Sequence, residues 1–277
     1  MMIKRLLRPP YRFLRTVLKL NIIATLRVNF SLLSLREAIK FPVYVYGKTF
    51  IHSLKGKIVF NSPIHSGMLR LGFKYVDLHP LSFTSNVLWI DGTVKCCGVV
   101  LFAGGVNLLV PREEAVIEMG ENVQIGSGTR LCARKAIRIG AYTQITMNCT
   151  VMDTNLHYVK NIDTGVVHRS DGEIHIGEYC WINAGTVVTK GTVLPAHTIV
   201  ARNSFVNKDY SSEGEYRMLA GIPAKVHGGH VQRIFNWDME HSYDKMFSDY
   251  KTEFVLESPG PVSEPHWSWN NMIRHLI

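Results

Sequence analysis

Cysteine is scarce in this sequence, five in 277 residues. The adjoining pair, Cys96 and Cys97, fits neither a paired disulfide framework nor the Cys-x-x-Cys spacing of a zinc site. This argues against a disulfide-stapled miniprotein and points to a reducing, cytoplasmic compartment. Long apolar runs are missing as well. Basic residues interrupt the N-terminal segment repeatedly, so no stretch there has the length of a signal peptide or the roughly 20 mostly apolar residues of a spanning helix. Acidic residues are absent until Glu37, whereas Lys4, Arg5, Arg8, Arg12, Arg15, Lys19, Arg27 and Arg36 all precede it. The formal charge of +9 is therefore an N-terminal excess, and it does not mark a nucleic-acid-binding protein.

What the sequence does have is apolar material, 46% of its residues, enough for a sizeable core. This material recurs with an unusual period. From Ile176 an aliphatic residue stands at every sixth position: Ile176, Ile182, Val188, Leu194, Val200 and Val206. The spacing is neither the 3.6 of a helix nor the 2 of a strand. Four residues after an aliphatic comes a small residue, as at Cys180, Thr186, Thr192, Thr198 and Ser204. Each six-residue unit reads as a short strand and a turn, with the aliphatic pointing inward. Three units make a triangular coil that buries its stack only against neighbouring coils.

An earlier block repeats the pattern with Met119-Gly120, Ile125-Gly126 and Leu131, and then resumes two residues out of step at Ile139-Gly140, Ile145 and Val151. The slip predicts a bulge or widened corner near residues 132–138. Between Val151 and Ile176 the period fails, and residues 153–173 read as a loop extruded from the coil. Residues 58–115, with Val94, Val100 and Val106 six apart, read as irregular leading coils. The resulting organisation is a basic amphipathic helical segment over 1–41, a β-helix over 42–228, and a C-terminal helix and irregular tail over 229–277 that carries Trp237, Trp267 and Trp269.

The repeats, the loop motif Asp153-Thr154-Asn155-Leu156-His157, the run Ile176-Gly177-Glu178-Tyr179-Cys180-Trp181-Ile182 and the ending Ala220-Gly221-Ile222-Pro223-Ala224-Lys225-Val226 resemble the hexapeptide-repeat acyltransferases. Within that family they resemble the bacterial capsular-type polysaccharide and sugar O-acetyltransferases. The resemblance implies an all-β, left-handed parallel β-helix. It also implies a homotrimer, acetyl-CoA in the groove between two neighbouring β-helices, a loop histidine facing the thioester, and no metal for the chemistry. Asn183, Asn155 and Gly126 stand where the family more often has a glycine, an aspartate and a polar substrate contact.

A sugar hydroxyl needs its proton removed as it attacks a thioester. Imidazole, with a reference pKa of about 6.5, accepts a proton readily at neutral pH, and His157 is the candidate base. Asp153 is the nearest orienter for its second nitrogen, with a backbone carbonyl as the alternative. By resemblance, the backbone N–H near Ala184 supplies the oxyanion donor and Trp181 walls the site. Arg202, Lys208 and Lys225 meet the cofactor phosphates.

Two other readings of the same coils remain open at this level. One is a noncatalytic scaffold. The other is a zinc carbonic-anhydrase type using His157, His168 and His175, which lack a persuasive ligand spacing. In residues 1–36 the apolar Leu6, Leu7, Phe13, Leu14, Val17 and Leu18 interleave with the cations, a pattern suited to peripheral contact with an anionic membrane at its inner face.

Overall fold

The structure is a computed structural model that describes residues 20–73, 85–235 and 237–247. The basic stretch from Lys4 to Lys19 and the tail tryptophans Trp267 and Trp269 lie outside the described residues.

The chain winds as a three-faced parallel β-helix. Its first face stacks Val43–Val45, Leu69–Leu71, Val100–Phe102, Val123–Ile125, Gln144–Ile145, Trp181–Ile182, Ile199–Val200 and Arg217–Ala220, and the antiparallel strand Lys225–His230 closes it. The second face stacks Thr49–Ser53, Asn86–Ile90, Asn107–Val110, Arg130–Cys132, Thr150–Met152, Val187–Thr189 and Phe205–Val206. The third runs from Lys57–Phe60 through Thr93–Cys96, Val116–Met119, Ala136–Ile139 and Ile174–Ile176 to Val193–Leu194.

Strand register turns the six-residue period into three interior ladders. On the first face, Ile125, Ile145, Ile182 and Val200 are consecutive partners. On the second, Leu108, Leu131, Val151, Val188 and Val206 are consecutive partners. Met119, Ile139, Ile176 and Leu194 follow on the third. All of these residues are buried, and fully burying one such side chain is worth about 1.5–3 kcal/mol. In the leading coils the ladder positions are held by Cys96, Phe102 and Leu108, partners of Met119, Ile125 and Leu131, and Val94, Val100 and Val106, two positions before them, are fully buried as well.

The small residues sit at the corners. Thr186, Thr192, Thr198 and Ser204 are buried there, and each hydroxyl donates to a nearby carbonyl, as Thr198 does to Pro195 O at 2.7 Å. Gly140 shows why a glycine follows the aliphatic: a Cβ on it would lie 2.4 Å from Glu178 N in the next coil.

Between the third and first faces the corner residues are aromatic and have positive φ, namely Tyr142, Tyr179, His197 and Tyr216. A left-handed backbone is strained for bulky residues. Here their rings stack coil upon coil, with centroids 4.8, 5.2 and 4.2 Å apart, and the stacking offsets part of that strain.

Helix α1 (Ile22–Leu32) covers the open end of the first coil, and a short helix, α2 (Leu35–Ala38), follows it. Asn21 caps α1 by accepting Ala24 N at 3.0 Å. Its buried face carries Ala24, Thr25, Val28, Asn29 and Leu32. Asn29 both accepts Val43 N at 3.2 Å and donates to Val43 O at 2.8 Å, while Thr25 Oγ1 accepts Val45 N at 3.1 Å. The helix thus supplies the partners that an edge strand otherwise lacks. Helix α3 (Trp237–Phe247) follows the coils. No described helix is long and apolar enough to cross a membrane.

Excursions from the coil concentrate on the edge between the second and third faces. They are residues 111–115, residues 133–135 where the repeat slips, and residues 153–173. The long one is an ordered arm with its own antiparallel hairpin, Val159–Lys160 against Val167–His168. Tyr158, Val159, Ile162 and Val167 are exposed along it.

Candidate active site

The arm begins at Asp153, which is fully buried. Its carboxylate accepts Arg134 N at 2.8 Å and Lys135 N at 2.7 Å, filling the widened corner of the preceding coil. Burial pushes its carboxyl above the ordinary value, and the backbone N–H groups of Arg134, Lys135 and Ala136 pull it back. Asp153 O also accepts Gly172 N at 2.8 Å, and Asn155 N donates to Ser170 O at 2.7 Å, so the two ends of the arm are laced together.

Next comes a tight turn. Thr154 Oγ1 accepts Leu156 N at 2.9 Å, Leu156 adopts φ 65°, and His157 N donates to Asn155 O at 2.8 Å. A leucine in the left-handed region is an outlier of the kind that clusters at functional sites. The turn seats Leu156 in a groove of about 580 Å³ on the second face and leaves His157 exposed. Among the described residues no hydrogen bond joins the His157 ring to Asp153, whose two oxygens are committed to the corner.

Below the arm, Glu173 accepts Arg138 at 2.5 Å, and Lys135 and His175 lie 3.3 and 3.2 Å away. The Arg138 hydrogen bond leads in holding the Glu173 carboxyl down at about 2. Asp171 pairs with Arg169 at 3.0 Å and with Arg112 at 3.4 Å. These ion pairs fix the base of the arm on the third face.

The remaining sequence-predicted residues fall on two edges. Ala184 lies at the corner between the first and second faces. Arg202, exposed, lies on the same corner one coil later, where Asn203 N donates to Ala184 O at 3.0 Å. The Ala184 N–H has no acceptor among the described residues. Lys225 is exposed at the start of the closing strand, and the adjoining Ala224 N donates to Phe205 O at 2.7 Å. Lys208 instead occupies the opposite edge of the second face, with its ammonium 5.0 Å from the Tyr210 ring centroid. Within one chain, Ala184 and the root of the arm are separated by the width of that face, roughly 15–20 Å at 3.3 Å per residue.

Trp181 is half-buried on the first face, and its neighbour was not foreseen. Arg233, from the segment after the closing strand, lies over the indole at 4.6 Å, packs at the same distance on Phe235, and hydrogen-bonds Gln144. The cysteines are free thiols. Burial pushes Cys149 and Cys180 up to about 11 and 12, which makes them poor nucleophiles. Among the described residues no three His, Cys, Asp or Glu side chains group as metal ligands, and His157, His168 and His175 form no such set.

The comparison with solved structures returns a polysialic-acid-specific acetyltransferase, NeuO. It shares 16% identity with this chain over 74% of this chain and 92% of its own, at a TM-score of 0.52. The chain has the left-handed β-helix fold of the hexapeptide-repeat acetyltransferases. Two weaker likenesses are the polysialic acid O-acetyltransferase OatWY and AntD. OatWY shares 14% identity over 76% of this chain and 98% of its own, at a TM-score of 0.36. AntD is an N-acyltransferase from Bacillus cereus solved with dTDP and 3-hydroxybutyryl-CoA, and shares 13% identity over 79% and 98%, at a TM-score of 0.40. No family model and no curated protein sequence matches the chain.

Signals for the functional geometry were uneven in the sequence. The arm announced itself as the long break in the period. Arg112, Arg130 and Arg134 of the groove, and Arg233 over Trp181, carried no local signal, because only the stacking of coils brings them to their partners.

Proposed function

We propose that this chain transfers an acetyl group from acetyl-CoA to a saccharide hydroxyl, with His157 as general base. The observation that carries the reading is the placement of His157. It sits on a tied-down arm, beside a strained Leu156 that lines a groove, on a scaffold whose fold is shared with an acetyltransferase.

In the proposed step a ring nitrogen of His157 takes the hydroxyl proton as the sugar oxygen bonds to the thioester carbonyl carbon. The developing oxyanion accepts the Ala184 N–H. When the C–S bond breaks, the imidazolium returns its proton to the leaving thiolate. Asp153 serves as a positioning residue that anchors the arm. Arg202 and Lys225 meet the cofactor phosphates at one edge and Lys208 does so at the other, and Trp181 with Arg233 over it borders the pantetheine path.

The separation of Ala184 from the arm supports a homotrimer, in which the arm of one copy faces the Ala184 edge of its neighbour. The apolar residues exposed on the arm, Ile162 foremost at 92% exposure, suit burial against a second copy.

The test is to supply acetyl-CoA with candidate glycans and follow thiol release. His157→Ala is expected to lower kcat by about a hundred- to ten-thousand-fold. An unchanged rate on a working acceptor removes His157 from the role, and failure of the full chain to bind CoA in calorimetry favours the scaffold reading.

We also propose that the N-terminal end contacts an anionic membrane. Ile22, Ile23, Leu26 and Phe30 are exposed on α1, alongside the cation Arg27, and this pairing suits an interfacial helix. Full-length protein carrying Ile23→Glu and Phe30→Glu should lose binding to phosphatidylserine vesicles, and equal binding by the two proteins refutes the contact.

A further inference from the structure

The groove under Leu156 is built from two outward-facing columns of the second face. Trp89, Leu109, Cys132 and Met152 are successive register partners and form an apolar strip across four coils. At about 4.8 Å per strand the strip is roughly 14 Å long, more than one pyranose ring covers. The parallel column begins with Asn107 beside Arg130. Trp89 is held by its own indole N–H, which donates to Asp91 Oδ2 at 2.7 Å, so the strip presents a fixed aromatic face.

Three arginines border this strip, and they are not equivalent. Arg112 is already paired, with Asp171 at 3.4 Å and Glu114 at 3.9 Å. Arg130 is exposed and Arg134 half-buried, and among the described residues no carboxylate lies within ion-pair distance of either. Both guanidinium groups also act on the Cys132 thiol on the groove floor, opposing the upward push of burial and of Asp153. The backbone of Arg134 is pinned by Asp153. One of the two unpaired cations therefore projects from a rigid corner beside an apolar floor.

We infer that this groove takes an acidic saccharide, with its carboxylates on Arg130 and Arg134 and its ring faces on Trp89, Leu109 and Met152. The inference rests on the saccharide acetyltransferase reading above and names its acceptor class. Planar guanidinium groups match carboxylate oxygens in bidentate geometry, and the C–H faces of pyranose rings suit an apolar and aromatic strip. The phosphates of CoA are the other anion to consider. The groove occupies the middle coils, whereas Arg202, Lys208 and Lys225 belong to later ones, so the phosphate contacts proposed above lie further along the axis than the groove.

The experiment is calorimetric binding of full-length protein to oligosialic acid and to oligogalacturonate, each with its carboxyl-reduced counterpart, at low and high salt. Both acids should bind at least about tenfold more tightly than their reduced forms, with the difference shrinking as salt rises. Arg130→Gln and Arg134→Gln, which keep the backbone N–H donor to Asp153, should each abolish most of that difference. They should leave CoA affinity and the thermal midpoint unchanged.

Equal binding of acid and reduced forms overturns the inference. So does a loss of CoA affinity in the arginine variants, which would assign the cations to the cofactor. Because these readouts are equilibrium binding, absence of acetyl transfer with intact acid-selective binding would sink the catalytic reading and leave the groove assignment standing.

Discussion

Asp153 Oδ2 accepts the backbone N–H of Lys135 at 2.7 Å, tying the first residue of the arm to a corner of the preceding coil. Asp153→Asn offers one acceptor and one donor where two N–H groups point inward, and should cost about 1–3 kcal/mol. Urea unfolding reads the loss. His157→Ala, at an exposed position, should leave the unfolding midpoint in place. A destabilisation by His157→Ala as large as that of Asp153→Asn would show the histidine to be part of the fold.

Close approach of the backbone at Gly140 predicts intolerance of the smallest side chain. Gly140→Ala puts a methyl group 2.4 Å from Glu178 N. The coil has to separate there, at a cost of several kcal/mol by comparison with about 1–3 for overpacking that side chains can absorb. Gly165→Ala is a useful comparison for packing, since a Cβ there meets nothing within 4 Å, although its φ of 73° still adds some backbone strain. The thermal midpoint should fall further for Gly140→Ala than for Gly165→Ala.

Arg233 over Trp181 predicts a spectroscopic response. A cation on an indole face at 4.6 Å is worth about 0.5–2 kcal/mol. Arg233→Ala should shift tryptophan emission and, if Trp181 borders the pantetheine path, change KM for acetyl-CoA with little effect on KM for the acceptor. Unchanged emission would mean that the clasp does not persist in solution.

Glu173 gives a pH dependence of known sign. Its carboxyl is held down at about 2 from an ordinary 4.5, first by Arg138. A depressed carboxylate contributes stability that is fully present above pH 4.5 and is lost as pH falls toward 2. Urea midpoints of the parent should therefore exceed those of Glu173→Gln at pH 7 and converge with them near pH 2. The margin is small because the pair is partly exposed to solvent.

The fold was legible because its rule is local. An inward residue such as Val188 declares itself by standing six positions from Ile182 and Leu194, and no long-range information is needed. The out-of-step block was legible for the same reason, and the structure places Asp153 in the corner that the slip opens. Asp153 looked like a partner for His157 because the two are four apart in sequence. Sequence distance could not reveal that the carboxylate turns back toward residues 134 and 135. The groove was illegible for a related reason: Trp89, Arg130 and Met152 become neighbours only when coils of unequal length fall into register.

That register also sets how the molecule can change. Ile182 and Val200 are partners eighteen residues apart, so duplicating one such coil preserves every ladder contact and adds one more strand width, about 4.8 Å, to each face. The length of each face is thus a quantity that can change in whole-coil increments, while the helix at one end, the closing strand at the other and the arm between them are carried along intact.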